Sequence, residues 1–388
     1  MLNWSAGVSL ATAVYRRTAD IGHSHLAKRA APPGSFQVDQ GPQYEPPSWT
    51  IYVVLLNFVL FLPVLFIISY TFNHVFPVLA MVEDDTPEYE AVPLARDTTG
   101  PADGSNVKPD ATRLSFDNGP VTRSFRATNR LLRANGGFSA YFRGFFCLFA
   151  FNMAGGFLQG IFATAVAPIF ASFALLIASL ALVQLNTAWV HIIITPRSSE
   201  HFWKRLPPFR RTFNATALPT AIFWVALQVS NIIPFALAYL MGIEFPDVTV
   251  SPGDNTDMPA YDAANTWKAV VIAIVTIAAS LFLVIPAQAV LVRVQASLLP
   301  ESEDTIIAFD RSFGGAVLPT IVGGKGYATV ADAWKTFTAS AWRRLLGLTV
   351  KIFFVNMAVM VGMAVVIAPQ VYAIYSHSTL KEPSHGSF

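Results

Sequence analysis

Long apolar segments alternate with charged links along the chain, and this pattern predicts six membrane-spanning helices. Residues 49–82 contain no Asp, Glu, Lys or Arg, and about 20 apolar residues suffice to cross a bilayer. They therefore predict one long span, which Pro63 and Pro77 bend. Residues 144–195 are likewise free of these charges and are long enough for two spans joined by a turn near Ala167. Three further spans are predicted at residues 213–243, 269–292 and 345–375.

The spans and links together predict an all-α protein, a six-transmembrane-helix bundle with short surface helices on its basic side. Residues 49–375 form the membrane domain in this prediction. Residues 1–48 are a flexible N-terminal tail or a targeting segment, since the basic residues suit a mitochondrial presequence and an apolar stretch suits a signal peptide. Residues 83–120 are rich in acidic residues, Pro, Gly and Thr and predict an acidic flexible link. Residues 376–388 form a C-terminal tail.

Composition supports a membrane protein and excludes other classes. Of the 388 residues, 53% are apolar and 13% are charged, whereas soluble domains carry about 25% charged residues. The mean hydropathy is +0.47. A net charge of +2 is too small to indicate a nucleic-acid binder. The single cysteine, Cys147, cannot form an internal disulfide and therefore does not indicate a redox compartment.

Basic residues are concentrated in three of the five links, and the positive-inside rule converts this asymmetry into an orientation. The links after spans one, three and five are basic near the membrane, whereas the link after span four is acidic. The three basic links are therefore expected on one face, cytosolic or matrix, and both termini on the other. The basic residues are Arg123, Arg126, Arg130, Arg133 and Arg143, then Arg197, Lys204, Arg205, Arg210 and Arg211, then Arg293, Arg311, Lys325, Lys335, Arg343 and Arg344.

Residues 121–135 predict a short amphipathic surface helix on the basic side. Four arginines share one face of this helix, within an arc of roughly 80°: Arg123, Arg126, Arg130 and Arg133. Such a helix lies at a membrane surface with its arginines against anionic lipid head groups, while Phe125 and Leu132 point toward the acyl chains. The four arginines are therefore candidates for lipid-head-group binding. The alternatives are a solvated connector helix and a specific anionic-ligand site.

Uncharged polar residues lie deep within every predicted span. A buried amide costs several kcal/mol in hydrocarbon unless it is paired, so these side chains should face other helices or water. They either form interhelical hydrogen bonds or line a polar cavity. Lys351 is the one full charge well inside a span, and it either extends to the basic face or contacts a ligand in the cavity. The uncharged residues are Asn57, Asn152, Gln159, Gln184, Asn186, Gln228, Asn231, Gln288 and Asn356.

Two short motifs recur at a separation of about 200 residues, as expected of a duplicated helix pair. "SAYFR" at residues 139–143 matches "SAWRR" at 340–344, and "FNMA" at 151–154 matches "VNMA" at 355–358. Six spans in three pairs, each pair joined by a basic link, resemble the mitochondrial carrier family. "RLLRANGGFSAYFRGFF" at residues 130–146 is similar to that family's surface helix, glycine turn and entry to an even-numbered span.

In span five, "PAQAVLVRVQ" has Pro286, Arg293 and Gln295 at the spacing of the carrier family. Where the family has an acid and a base that close a salt-bridge gate, this chain has Gln288 and Leu291, and span one offers a proline without the charges. The resemblance therefore implies a carrier-like protein with a degenerate gate. It also favours a mitochondrial membrane, with the endomembrane system as the alternative.

The sequence offers no candidate for catalysis. No carboxylate pair lies inside a span, and the histidines offer no metal-ligand spacing beyond His23 and His25 in the N-terminal tail. No enzyme activity, metal or cofactor is therefore expected. The leading hypothesis is carrier-like transport of a small solute, and the alternative is a non-transporting carrier-derived adaptor or scaffold that binds lipid or protein. The expected partners are the lipid bilayer, with its anionic lipids, and a small solute, but not nucleic acid.

Overall fold

The computed structural model describes residues 44–85, 120–165, 171–243, 266–318 and 322–380. Within these ranges the regular secondary structure is helical apart from one short antiparallel pairing, in which Tyr44–Glu45 lies against Thr379–Leu380. The all-α prediction is therefore confirmed. The turn predicted near Ala167, most of the acidic link and most of both tails lie outside the described residues.

Among the described residues, five helices are long and apolar enough to cross a membrane, and a helix pair bent by 64° is either a broken sixth span or a re-entrant loop. We number the pair with the spans, in chain order. Spans one to six are Thr50–Val82, Gly137–Phe162, Ser172–Ala181 with Val183–Ile194, Phe209–Leu240, Thr266–Ser297 and Ala339–Ser376. Five of the six predicted spans are confirmed as apolar helices of this kind, and the bent pair lies where the remaining span is predicted. These helices are compatible with a multi-pass membrane protein.

Spans one and five share an internal pattern. In span one, the α-helix Thr50–Ile67 is followed by a π-helical segment, Ile68–Val75, and by the α-helix Phe76–Val82. In span five, the α-helix Thr266–Ala279 is followed by the π-helical segment Ser280–Val284 and by the α-helix Ile285–Ser297. A proline lacks the amide that closes an α-turn, and in each span it is the second residue after the π-segment. These prolines are Pro77 and Pro286.

Shorter helices lie outside the long apolar segments. The helix of the first basic link is Phe125–Ala134, which we call the basic helix, and it follows the 3₁₀ turn Val121–Arg123. The entry to span two is the 3₁₀ helix Gly137–Phe142, followed by the α-helix Phe145–Ala165. The remaining elements are Phe202–Arg205, which is 3₁₀, and Val330–Lys335, which is α-helical.

The described chain divides into two compact units, and the boundaries fall inside the spans. The first unit contains described residues 44–66, 231–243, 266–278 and 354–380, and its contacts include the Asn57 amide bonded to Gln370. The second unit contains described residues 67–85, 120–165, 171–230, 279–318 and 322–353, and it holds a packed core. Fully buried core side chains of the second unit are Phe76, Leu79, Ile193, Ile194, Ile285 and Leu345.

The basic helix differs from its prediction in two respects. Arg123 belongs to the preceding 3₁₀ turn, because Ser124 is extended and interrupts the helix between Arg123 and Phe125. The predicted contact of Phe125 and Leu132 with lipid is wrong, since Leu132 is fully buried and the Phe125 ring lies 4.9 Å from that of Phe72. The apolar face packs on protein because span one presents aromatic rings to it.

Candidate functional site

The three acidic residues that follow span one form specific contacts with the protein, although their sequence predicts a flexible link, and one is buried while two are half-buried. Glu83 is fully buried, and its carboxylate accepts hydrogen bonds from the amides of Val121 and Thr122 at 2.6 and 2.9 Å. The Thr122 hydroxyl donates a third bond at 2.5 Å. The assignment of residues 83–85 to the flexible link is therefore wrong. Glu83 instead ties the end of span one to the turn that starts the basic helix.

Asp84 forms the centre of a buried ion pair with span five. Both terminal nitrogens of Arg293 donate to Asp84 Oδ1 at 3.0 Å, and the Asp310 amide donates to Oδ2 at 2.8 Å. The Arg293 side chain is only 1% exposed and also donates to the Thr336 hydroxyl at 3.1 Å. Burial raises the pKa of the Asp84 carboxyl, and Arg293 offsets part of that rise.

Asp85 forms a second ion pair, with span six. Arg344 donates to Asp85 Oδ1 and, at 2.5 Å, to the Glu83 carbonyl. The hydroxyls of Thr338 and Ser340 donate to the other carboxylate oxygen of Asp85. Although partial burial works against them, the two hydroxyls and Arg344 lower the pKa of Asp85. Five residues thus form one structure, which we call the charge network: Glu83, Asp84, Asp85, Arg293 and Arg344.

The two partners of the central ion pair occupy equivalent positions in the shared pattern of spans one and five. Asp84 lies seven residues after Pro77, and Arg293 lies seven residues after Pro286. The carrier resemblance places the gate residues at Gln288 and Leu291, which lie five and two residues before Arg293, the residue that forms this ion pair. The equal spacing of Asp84 and Arg293 from the two prolines is the sequence feature that could have identified this ion pair.

A second polar feature is a cavity of about 430 Å³ at the entry to span two, which we call the Arg143 pocket. Arg143 is buried, and one of its terminal nitrogens donates to the Ile193 carbonyl at 3.4 Å. The other terminal nitrogen has no hydrogen-bond partner among the described residues. Arg197 and Arg205 line the same pocket, and their positive charges act on Arg143. The pocket therefore places the buried charge of Arg143 beside two further positive charges, one exposed at Arg197 and one half-buried at Arg205.

The acidic groups near the Arg143 pocket do not neutralise Arg143. Glu200 lines the pocket but lies in an exposed loop, and no ion pair joins it to Arg143 among the described residues. Glu303 pairs with Arg205, at 2.5 Å. A buried arginine without a carboxylate is costly, so an anion in the pocket would be stabilised there.

A second cavity of about 740 Å³ is lined by Arg205, Arg211, Glu303 and Arg311. The four arginines of the predicted lipid-binding stripe are exposed and line neither this cavity nor the Arg143 pocket. Arg133 donates to the Tyr141 hydroxyl at 2.9 Å and lies over its ring. The charges of the other three arginines lie at the protein surface, at Arg123, Arg126 and Arg130.

The polar residues of the spans are not brought to either of these two cavities. Asn57 pairs with Gln370, Gln184 donates to the Pro207 carbonyl at 2.8 Å, and Lys351 donates to the Arg123 carbonyl at 3.3 Å. Asn231 is exposed. The remaining candidates are half-buried: Asn152, Gln159, Asn186, Gln228, Gln288 and Asn356.

The described residues contain no group of three or more His, Cys, Asp or Glu side chains that could hold a metal ion. The acids of the charge network face arginines and amides, so they are already neutralised by protein groups. A comparison of the chain with protein-family models, with curated proteins and with solved structures found no match.

Proposed function

We propose that this protein is a carrier-like membrane transporter, a distant relative of the mitochondrial carriers, in which the charge network closes one end of a path for a small solute. The supporting observation is that buried ion pairs join the end of span one to spans five and six. Glu83, Asp84 and Asp85 directly follow span one, whereas Arg293 lies in span five and Arg344 in span six.

The chemistry of the charge network suits a closure that opens. A buried ion pair contributes little net stability relative to well-packed apolar residues, because desolvation of both charges offsets their attraction. Charged side chains that separate into water recover their hydration, whereas separated apolar side chains do not. Ion pairs between helix ends can therefore break and re-form at modest cost. That property is required of a transporter and is of no use to a static scaffold.

Transport is tested with the full chain in liposomes loaded with an isotopically labelled mixture of carboxylates, amino acids and nucleotides. We expect at least one class to leave faster than from protein-free liposomes, as measured by mass spectrometry of the external medium. Arg293→Gln should change that rate by about tenfold, since a shift of 1.4 kcal/mol in the closed state has this effect. Lys335→Gln, an exposed change outside the network, should not.

If the folded protein releases none of the three classes, the transport proposal fails and the adaptor alternative takes its place. Cellular location provides an independent test. We propose that the protein resides in a mitochondrial membrane. If a tagged chain is found in the endomembrane system instead, the carrier resemblance no longer supports the transport proposal.

A second candidate function is the binding of an anionic lipid, and the Arg143 pocket favours it. The unpaired nitrogen of Arg143 supplies a charge for a phosphate, and apolar side chains beside it suit acyl chains. Trp203 and Phe146 line the pocket and are largely exposed. The exposed arginine stripe would add surface attraction of about 1 kcal/mol per residue, which salt weakens.

The two lipid contacts are distinguished by their salt dependence. We expect phosphatidylglycerol to raise the Tm of the delipidated protein more than phosphatidylcholine does, and we expect Arg143→Gln to abolish this difference at high salt. Replacing Arg123, Arg126, Arg130 and Arg133 by Gln should weaken binding to phosphatidylglycerol vesicles at low salt only. An unchanged lipid effect in Arg143→Gln would exclude the pocket as the head-group site.

A further inference from the structure

The chain that leaves span five crosses back over the ends of two other spans. The Ile306 amide donates to the Ile194 carbonyl at the end of span three, at 2.8 Å. The Ala308 carbonyl accepts from the amide of Asp84, next to span one, at 2.9 Å. Glu303 pairs with Arg205 at 2.5 Å. We call residues 300–317 the crossing segment. It is attached to spans one and three as well as to span five, where it begins.

The crossing segment also covers the charge network directly. The Phe313 ring lies 5.2 Å from the guanidinium carbon of Arg293, and its side chain is 2% exposed. Phe313 packs in one apolar cluster with Val294, Leu298 and Ala333. The Asp310 amide binds the carboxylate of Asp84. Both partners of the central ion pair therefore contact the crossing segment.

The turn that places Phe313 on Arg293 is strained. Among the described residues, Phe313 is the one non-glycine residue with a positive φ, at 52°. A bulky residue in this region costs on the order of 1–3 kcal/mol and persists where the surroundings hold it. The Asp310 carboxylate holds the turn by accepting from the amides of Ser312 and Gly314, at 2.7 and 2.6 Å. The strain is therefore stored at the contact between the turn and the network.

We infer that the crossing segment is a detachable plug, which seats on the charge network and must leave it before a solute can pass. This role rests on the proposed transport function. The attachments are a few hydrogen bonds, one ion pair, the contact of Phe313 with Arg293 and the apolar packing of Ile306, Ile307 and Phe313. None of these is a backbone hydrogen bond within a span, so they can break without unfolding one. Because Asp84 and Arg293 bind the plug and each other, opening the network and releasing the plug are one event.

Seating of the plug is measured by cysteine labelling of the full chain in liposomes, in a Cys147→Ala background. Ile307→Cys reports on the plug, since Ile307 is 3% exposed, and Ala188→Cys, fully buried in span three, reports on the fold. We expect Phe313→Ala to speed labelling of position 307 by a membrane-impermeant maleimide by at least about tenfold. Position 188 should stay unreactive in both proteins.

A pair of charge-removing variants provides the matched control. Glu303→Gln breaks the ion pair with Arg205 and should also speed labelling at position 307. Asp304→Asn removes the same charge from an exposed neighbour that has no ion pair among the described residues, and it should leave labelling unchanged. If position 307 is labelled at the same rate in all of these variants while position 188 stays protected, the crossing segment is not a detachable plug. This conclusion holds whether or not the protein transports a solute.

A disulfide tests the role of the plug in transport. Ile194→Cys with Ile306→Cys places two thiols where the backbones are already bonded, so oxidation should lock the plug in place. Solute release from the labelled liposomes should stop on oxidation and recover on reduction. Release that continues with the disulfide formed would contradict the plug while leaving the transport proposal intact. Labelling that changes in liposomes that never release solute would instead refute transport.

Discussion

Replacing Arg293 by Met is expected to lower the free energy of unfolding by about 3–5 kcal/mol, the cost of leaving one member of a buried ion pair without its partner. Asp84 would keep a partly buried carboxylate with only the Asp310 amide to bind it, and Phe313 would lose the guanidinium under its ring. Thermal unfolding in lipid nanodiscs provides the measurement.

Arg343→Met is the matched control for this change. Arg343 is exposed, and among the described residues its side chain donates only to a carbonyl of its own helix, at 3.3 Å. Its replacement should change the free energy of unfolding by no more than about 0.5 kcal/mol. If the two variants unfold at the same temperature, Arg293 does not hold the end of span one.

Replacing Glu83 by Ala is expected to detach the turn that begins the basic helix, at a cost of about 2–4 kcal/mol, since hydrogen bonds to a buried charged group contribute about 1.5–3 kcal/mol each and are not additive. The amides of Val121 and Thr122 would lose their acceptor, and Arg344 would lose a nearby negative charge. Hydrogen exchange at these two amides should become fast.

Glu301→Ala, an exposed change in another link, should leave exchange at residues 121 and 122 slow. Slow exchange at both amides in the Glu83 variant would mean that the turn is held by other contacts. The packing of Phe125 on span one is the alternative anchor, and in that case it would suffice without Glu83.

The spans were predictable because their signal is local. Twenty apolar residues without charge must be helical in a bilayer, whatever their neighbours are. The charge network was not predictable in this way, because Asp84 and Arg293 are 209 residues apart in the chain. Read locally, residues 83–85 resemble the acidic link that follows them. Their role depends on arginines that only the fold brings to them.

The basic helix shows a different limit of sequence reasoning. An apolar face indicates burial but does not say whether lipid or protein buries it. The sequence pattern predicts that Phe125 and Leu132 contact lipid, whereas the structure packs them on protein. The same limit applies to charged residues. From the sequence, Arg143 is one of several basic residues near a predicted span, and nothing in the sequence separates it from the others. Its unpaired nitrogen is visible only when the pocket around it is formed.

The most direct test of the account is a double-mutant cycle between the two partners of the central ion pair. The free energy of unfolding is measured in nanodiscs for the unmodified protein, Asp84→Asn, Arg293→Met and the double variant. The charge network predicts a coupling energy of about 2 kcal/mol or more, with the double variant more stable than Arg293→Met alone. Single-variant effects that add to within about 0.5 kcal/mol would contradict it, because the two side chains would then not act as a pair.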